Sequence, residues 1–256
     1  MTTVAVLGLG EAGSRLAAEL VAAGAEVRGF DPFAAATPSR VVRSPDPQAA
    51  VVGADVVLCV ATAAAARAAA EGALPVLAPQ AVYADLNTAA PSLKRELAEL
   101  VEGAGARFAD VALLGPVPAR GLRTPVLASG SGAARFAEAL EPFGMPVEVV
   151  SPTAGDAAAM KLLRSVFMKG VAAAAVESLA AAEAAGQREW LEGQLGGVIG
   201  SGLLERFVEG SRLHAARRVE EMDAACELLA SLGVEPRIAA ASRAVLAELE
   251  AGLPLQ

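Results

Sequence analysis

Short apolar runs alternate with helix-forming stretches over the first 150 residues of the chain. Val4–Leu7, Asp55–Val60 and Ala81–Asp85 are almost continuously apolar, which is typical of strands buried on both faces of a parallel sheet. Stretches rich in Ala, Leu and Glu separate them and predict helices. This alternation predicts an α/β fold with a doubly wound parallel sheet. Further strands are expected at Glu26–Phe30, Arg107–Ala112, Val126–Ser129 and Val147–Val150.

The alternation stops near Ser151, and from Gly155 onward the pattern is helical throughout. Residues 156–185 form an unusually long run of helix formers, which corresponds to a helix of about 45 Å. We therefore expect two domains, with an α/β domain at 1–151 and an all-α domain at 152–256. A helix of this length exceeds what one small domain needs, so we expect it to bridge domains or to pack against a second subunit.

The turn after the first strand carries the pattern Gly-x-Gly-x-x-Gly. Gly8 suits a tight turn, Gly10 lets a pyrophosphate approach the backbone, and Gly13 allows close packing of helix and strand. The strand–turn–helix context favours a Rossmann domain that binds a dinucleotide, although a glycine-rich turn that binds nothing has the same pattern. The predicted cofactor-binding segment comprises Gly8, Leu9, Gly10, Glu11, Ala12 and Gly13.

Two polar side chains follow the next predicted strands. Asp31 lies about 20 residues beyond the glycines, where a carboxylate accepts hydrogen bonds from the adenosine ribose of NAD and disfavours the 2′-phosphate of NADP. Arg40 and Arg43 follow closely and keep NADP possible, and an Asp-Pro pair also simply begins turns. Thr62 is expected either to line the cofactor or to cap the helix that follows it.

Composition and charge narrow the class of partner. The formal net charge of −8 disfavours nucleic acid and anionic membranes, so any anionic ligand needs local cationic groups. Cys59 and Cys226 are far apart, no Cys, His or Asp cluster suggests a metal, and charged residues interrupt the apolar runs before they reach membrane-spanning length. Since the first residues also lack a signal-peptide pattern, we expect a cytoplasmic protein without disulfides.

Four blocks in this order resemble the β-hydroxyacid dehydrogenase superfamily, which includes 3-hydroxyisobutyrate and 6-phosphogluconate dehydrogenases. They are Gly8–Gly13, Asp85–Pro91, Phe108–Asp110 with the loop after it, and Gly155 followed by Lys161. The resemblance covers essentially the whole chain. Within the superfamily, the chain is most similar to the subgroup with a DUF1932-type helical domain.

The resemblance implies roles for several residues. Asn87 and Thr88 would lie beside the nicotinamide, and the loop after Asp110 would contact a small substrate. Lys161 would be the general acid/base, and burial near a dry nicotinamide site disfavours the charged form of a lysine, which suits proton transfer. An ordinary surface lysine is the alternative. The resemblance also implies a homodimer that pairs through the helical domains.

Three departures from the family pattern bear on the substrate. One helical turn after Lys161, Ser165 stands where the family usually has Asn. Its side chain is shorter and would reach less far towards substrate or Lys161. The substrate loop has Leu114, Gly115 and Pro116 where the family has a serine and free amides, which disfavours a small hydroxy acid. Glu220 aligns with a second lysine of the family.

Arginines offer replacement chemistry, because Arg120 lies in the substrate loop and Arg164 lies beside Lys161. The basic cluster of Arg212, His214, Arg217 and Arg218 would either bind an anion or form a solvated helix face. The sequence thus predicts an NAD(P)-dependent oxidoreductase acting at a hydroxyl or carbonyl carbon, with the site in the cleft between the domains. An imine reductase of the same architecture and a catalytically silent NAD(P)-binding sensor are the alternatives.

Overall fold

The computed structural model describes residues 2–253, which divide into two compact units that meet in sequence at Lys161 and Leu162. The first unit contains a sheet of eight strands in the order β3-β2-β1-β4-β5-β6-β7-β8. The strands are β1 (Thr3–Leu7), β2 (Glu26–Phe30), β3 (Val42–Arg43), β4 (Val56–Cys59), β5 (Val82–Asp85), β6 (Arg107–Leu113), β7 (Val126–Ser129) and β8 (Val147–Ser151).

Helices cover both faces of this sheet, as the doubly wound prediction requires. They are α1 (Glu11–Ala22), α2 (Pro47–Val51), α3 (Ala63–Ala73), α4 (Pro91–Gly103), α5 (Val117–Arg120) and α6 (Ala133–Leu140). Alternate residues of β1 supply two separate cores: Val4 and Val6 pack with α1, whereas Ala5 and Leu7 pack with α2 and α3. Because side chains of a strand alternate between faces, β1 must be apolar throughout.

One pairing departs from the predicted parallel arrangement, so that β7 and β8 run opposite to the first six strands. β6 and β7 pair antiparallel, with Asp110 opposite Ser129, while every other neighbouring pair is parallel. The reason is the connection between them, residues 114–125, which contains only the four-residue helix α5 and a single 3-10 turn, Gly121–Arg123. A parallel crossover needs a long connection that is usually a full helix, so the chain returns from the same edge of the sheet.

The order of strands places a topological switch point between β1 and β4. β2 and β3 extend the sheet on one side of β1, and β5 and β6 extend it on the other side of β4. Ligands of open α/β sheets bind outside the carboxyl ends of the strands at this point. The glycine-rich turn after β1 and the turn after β4 both lie there.

The remaining helices confirm the prediction of an all-α C-terminal region. They are α7 (Asp156–Ala184), α8 (Arg188–Ile199), α9 (Ser201–Leu213), α10 (Ala215–Ser231) and α11 (Arg237–Glu250). Within the second unit, Val176 and Leu179 of α7 pack with Leu204 and Val208 of α9. Among the described residues, α7 is the one helix long and apolar enough to cross a membrane, and 39% of its best window is buried. Length and composition alone are weak evidence, because a core helix meets the same criteria.

Candidate active site

Each of the three glycines after β1 has a distinct physical requirement. Gly8 has φ +101°, and a Cβ there would lie 2.3 Å from the carbonyl oxygen of Val60. A Cβ at Gly13 would lie 1.9 Å from the carbonyl oxygen of Gly8, so only glycine allows α1 to approach the turn this closely. A Cβ at Gly10 would meet nothing within 4 Å. Gly8 and Gly13 are therefore required by the fold, and the space in front of Gly10 is open to a ligand.

The open space lies at the N-terminus of α1. Gly10 is the N-cap residue of this helix, and no side chain caps it. The first N–H groups of a helix and the positive end of its dipole favour a phosphate. Glu11 in the first turn is exposed. The chain thus fits the pyrophosphate of a dinucleotide at the place that the sequence predicted.

Asp31, at the end of β2, is already engaged by backbone amides. Its Oδ2 accepts from the N–H of Leu9 at 2.7 Å, and its Oδ1 accepts from Phe33 and Ala34 at 2.8 and 3.0 Å. The carboxylate therefore joins the glycine-rich turn to the loop after β2. A carboxylate has about four lone-pair sites, so acceptor capacity remains for a ribose hydroxyl.

The guanidinium of Arg43 lies across the same loop. It donates to the carbonyl oxygens of Asp31 at 3.1 Å and Ala34 at 2.9 Å, and to the hydroxyl of Thr37 at 3.3 Å. Arg40 is exposed and has φ 67°. Arg43 is therefore used to shape the loop after β2.

Thr62 caps α3. Its Oγ1 accepts from the N–H of Ala65 at 3.2 Å, and the residue is exposed. Of the two roles considered for Thr62, the structure shows the cap. Its hydroxyl can still donate, so a contact with cofactor stays a prediction.

The turn after β5 carries Asn87 and Thr88 into different environments. Asn87 is buried and donates through Nδ2 to Asp85 Oδ1 and to Cys59 Sγ, the latter at 3.4 Å. Burial and the nearby Asp85 carboxylate raise the pKa of Cys59 to about 12, so this thiol remains protonated at neutral pH. Asn87 therefore fixes the turn after β5 from its buried side, whereas Thr88 is only half-buried.

Thr88 is the residue that meets Lys161. The Nζ of Lys161 donates to Thr88 Oγ1 at 2.6 Å, although the two residues are 73 positions apart. Both are half-buried and belong to the first unit. The structure thus brings together two residues that the sequence placed in one site: a lysine, and the hydroxyl at the carboxyl end of β5.

The sequence did not predict a buried ionic cluster next to the residues that hold the Lys161–Thr88 contact. As a charged residue of α4, Lys94 is expected on the solvent face, but it is only 1% exposed and lies on the same face as the buried Leu97 and Val101. Its Nζ donates to Asp85 Oδ2 at 2.6 Å and to the Asp85 carbonyl oxygen at 3.0 Å, and lies 3.2 Å from Asp110 Oδ1. Burial alone would lower the pKa of Lys94, but the two carboxylates outweigh it and raise the pKa above its usual value. The expectation of a solvated Lys94 is wrong.

Asp110, expected near the substrate, is a member of this cluster and has no exposed surface. Its Oδ2 accepts from the backbone N–H of Ala158 at 2.9 Å and from Ser129 Oγ at 3.2 Å. Ser129 Oγ in turn accepts from the N–H of Ala157 at 3.0 Å. The carboxylate thus holds the first turn of α7 instead of facing a ligand.

The loop after β6, which carries the predicted substrate residues, is attached to α1. Glu19 Oε2 accepts from the N–H of Leu122 at 2.7 Å, and a Cβ at Gly121 would lie 2.0 Å from this carboxylate. Leu114 and Gly115 are half-buried, and Arg120 is exposed with its side chain folded towards Gly115. Glu19 was not predicted to matter, and a lone glutamate on a helix gives no sequence signal for such a contact.

The second unit contains its own buried polar group around Ser165. Ser165 is 2% exposed and donates to Glu221 Oε1, while Lys169 Nζ lies 3.0 Å from Glu221 Oε2. Arg164 is exposed on α7. The hydroxyl of Ser165 is therefore tied to α10, and its predicted contact with substrate stays a prediction.

The basic cluster of the helical unit is divided between surface and interior. Arg212 pairs with Glu209 on the surface at 3.3 Å, and Arg217 is exposed. Arg218 is partly buried and donates to Ser211 Oγ at 2.6 Å, and burial lowers its pKa. Among residues 2–253 no three His, Cys, Asp or Glu side chains are grouped as a metal site would require.

Comparisons with known proteins agree with this architecture. A family model of the NAD binding domain of 6-phosphogluconate dehydrogenase matches residues 3–151, and the domain of unknown function DUF1932 matches residues 182–249. An uncharacterised 28.5 kDa protein of Methanothermus fervidus is 30% identical over 150 residues. These are 57% of this chain and 56% of that protein, so the chain aligns with little more than half of this curated relative.

Solved structures match over nearly the full length. A conserved hypothetical protein from Sinorhizobium meliloti is 32% identical with a TM-score of 0.74, over 96% of this chain and 88% of that one. A 3-hydroxyisobutyrate dehydrogenase from Mycobacterium tuberculosis, solved with L-serine, is 25% identical with a TM-score of 0.78, over 99% and 95%. An imine reductase from Streptomyces aurantiacus is 22% identical with a TM-score of 0.64, over 98% and 94%, which shows a shared fold.

The first family model spans more than half of the chain and its glycine-rich turn, and the second spans most of the helical region. The predicted resemblance is confirmed. The chain belongs to the β-hydroxyacid and 6-phosphogluconate dehydrogenase superfamily of NAD(P)-dependent oxidoreductases, in the subgroup with a DUF1932-type helical domain.

Proposed function

We propose that this chain transfers a hydride between a nicotinamide cofactor and a hydroxyl or carbonyl carbon of a small molecule, with Lys161 as general acid/base. The observation that carries the proposal is the contact of Lys161 Nζ with Thr88 Oγ1 at 2.6 Å, at the carboxyl end of β5. In the reductive direction the ammonium gives its proton to the carbonyl oxygen as hydride reaches the carbon. In the oxidative direction the amine takes the hydroxyl proton.

The cofactor would supply the hydride, and the residues of the first unit would hold it. The N-terminus of α1 in front of Gly10 would bind the pyrophosphate, and Asp31 would accept from the adenosine ribose. The turn at Thr88 would lie beside the nicotinamide. Thr88 would therefore orient the lysine at the place where the proton is needed.

We propose NAD as the preferred cofactor. Asp31 is fixed by three backbone amides, so a 2′-phosphate would meet a carboxylate that cannot turn away. Arg43 is held by two carbonyl oxygens of the same loop, which reduces its capacity to bind a phosphate. The ratio of the dissociation constants for NADH and NADPH, measured by fluorescence titration, tests this preference. A tighter complex with NADPH would contradict it.

The activity is tested by oxidation of NADH or NADPH against aldehydes, keto acids and cyclic imines. Lys161→Met is expected to lower turnover by about 10²–10⁴-fold, the usual contribution of general acid–base catalysis, while the cofactor dissociation constant stays the same. Tight cofactor binding without turnover of any compound would favour a sensor. Turnover confined to imines would favour the imine reductase alternative, which the apolar Leu113 and Leu114 of the substrate loop support.

We also propose that the protein is a cytoplasmic homodimer paired through its helices. Leu163 and Phe167 on one side of α7 are 47% and 70% exposed, and Trp190 of α8 is 63% exposed. Apolar side chains exposed in this number are typical of an interface. Light scattering on the purified protein should give twice the mass of one chain, and Phe167→Asp should shift it towards the monomer. A wild-type monomer at micromolar concentration would contradict the proposal.

A further inference from the structure

The ionic cluster of Asp85, Lys94 and Asp110 lies in the interior, where charges need a specific reason. Asp85, the last residue of β5, and Asp110, in the middle of β6, are direct register partners on these neighbouring strands. Both carboxylates have no exposed surface, and Lys94 is 1% exposed. Replacing such a group of ions with apolar side chains is often neutral or stabilising, so stability alone does not account for it.

The charges of the cluster do not balance without α7. Two carboxylates face one ammonium, which leaves an excess of negative charge in the interior. The remaining oxygen of Asp110 accepts from the N–H of Ala158, and Ser129 links it to the N–H of Ala157. These amides belong to the first turn of α7, where the positive end of the helix dipole favours a carboxylate. The first turn of α7 therefore completes the cluster.

The same cluster holds both partners of the Lys161–Thr88 contact. Lys161 follows Ala157 by four residues and so lies on the same face of α7, one turn further along. Thr88 follows Asn87, whose side chain donates to Asp85. One set of ions thus fixes the helix that carries the lysine and the turn that carries its acceptor.

A glycine at the start of α7 shows how closely these elements approach. Gly155 has φ +97°, and a Cβ there would lie 2.9 Å from the carbonyl oxygen of Pro91, the first residue of α4. The beginnings of α4 and α7 are therefore in direct contact beside the cluster. Lys94 lies in the first turn of α4, so the cluster connects the two helix starts with strands β5 and β6.

We propose that Asp85, Lys94, Asp110 and Ser129 are positioning residues that set the geometry of Lys161 against Thr88. The role rests on the proposed function of Lys161. The cluster carries no reacting group itself. It places the ammonium nitrogen, and loosening the first turn of α7 displaces that nitrogen from the Thr88 hydroxyl.

The sequence provides a direct probe, because it contains three lysines, Lys94, Lys161 and Lys169. Lysine-selective ¹³C labelling gives one ε-CH₂ resonance for each, assigned with Lys161→Arg and Lys169→Arg. Thr88→Val defines the resonance of Lys161 without the Thr88 hydroxyl. We expect Asp110→Asn and Ser129→Ala to move the Lys161 resonance towards that position and to leave Lys169 unchanged.

A double-substitution cycle separates positioning from general stability. In a Thr88→Val background, Ser129→Ala should cause no further change of the Lys161 resonance, because the contact is already lost. Asp46→Asn is the matched control: Asp46 also accepts from a first-turn N–H, that of Ala49 in α2 at 2.7 Å. This control should leave the Lys161 resonance in place.

Kinetics give a second readout. Asp110→Asn and Ser129→Ala should each lower kcat by about 10–100-fold without changing the cofactor dissociation constant, since a displacement of about 1 Å costs up to about 100-fold. If Asp110→Asn does not fold, Ser129→Ala alone tests whether the cluster positions Lys161. A Lys161 resonance that stays at its wild-type position while the protein loses stability would overturn the proposal. This result is independent of whether Lys161→Met retains turnover, which tests the proposed function alone.

Discussion

Lys94 contacts the last residue of β5, Lys161 contacts the turn that follows it, and the surroundings of the two lysines differ. Lys94 is buried between two carboxylates, which raise its pKa despite the burial. Lys161 is half-buried and donates to the neutral hydroxyl of Thr88. The same residue type therefore serves as the buried cation of an ionic cluster in one place and is proposed to transfer a proton in the other. Burial between two carboxylates distinguishes Lys94 from Lys161.

The largest effect is expected when the buried cation is removed. Lys94→Met leaves two carboxylates buried without a cation and should lower the free energy of unfolding by about 3–5 kcal/mol. Lys161→Met removes the hydrogen bond to Thr88 from a half-buried side chain and should cost less, with about 1 kcal/mol from the loss of that bond. Urea unfolding followed by circular dichroism measures both. Equal losses for the two variants would remove the distinction.

The glycines of the turn after β1 also differ in role: Gly13 is required by the fold, whereas Gly10 faces space that is open to a ligand. Gly13→Ala places a methyl group 1.9 Å from the Gly8 carbonyl oxygen and should destabilise the protein by about 1–3 kcal/mol. Gly10→Ala meets nothing within 4 Å and should change stability by less than about 1 kcal/mol. Only the latter should selectively weaken NADH binding, by about tenfold or more, because the methyl group occupies the pyrophosphate space. Unaltered NADH affinity in Gly10→Ala would place the pyrophosphate elsewhere.

The pH dependence of stability is the smallest effect and has a definite sign. Because the pKa of Lys94 is raised on folding, its contribution is complete below the pKa of an unfolded lysine, near about 10.4. The contribution is lost as the pH rises through the folded value. The difference in unfolding free energy between wild type and Lys94→Met should thus be constant from pH 8 to about 10 and shrink above that. A difference that grows above pH 10 would contradict this assignment.

The elements of the fold could be predicted because their signals are local. The boundaries of β2 and β7 agree with the residues expected from periodicity, and those of the other predicted strands agree within a few positions. The direction of β7 could not be predicted in this way, because it depends on how the chain returns after β6. Glu19 and Leu122 likewise meet across 103 positions for reasons of packing alone.

The burial of Lys94 follows from two signals, its spacing on α4 and the register of two strands. Lys94 precedes Leu97, Ala98 and Val101 by three, four and seven positions, which places it on the buried face of the helix. Asp85 and Asp110 each stand in an Ala-Asp dipeptide of an apolar strand, and the parallel pairing of those strands places the two carboxylates side by side. A nearby lysine is then the natural counterion, which is a signal that the sequence contains but that needs the tertiary arrangement to be interpreted.

The central claim is that Lys161 moves a proton, and one pair of matched substitutions tests it most directly. Lys161→Arg and Lys169→Arg both keep a positive charge on α7, but an arginine does not release its proton in the working pH range. We predict that Lys161→Arg lowers kcat/KM by at least about 100-fold, while Lys169→Arg, which retains the ion pair with Glu221, stays within about threefold of wild type. Equal activity of the two variants would contradict the account.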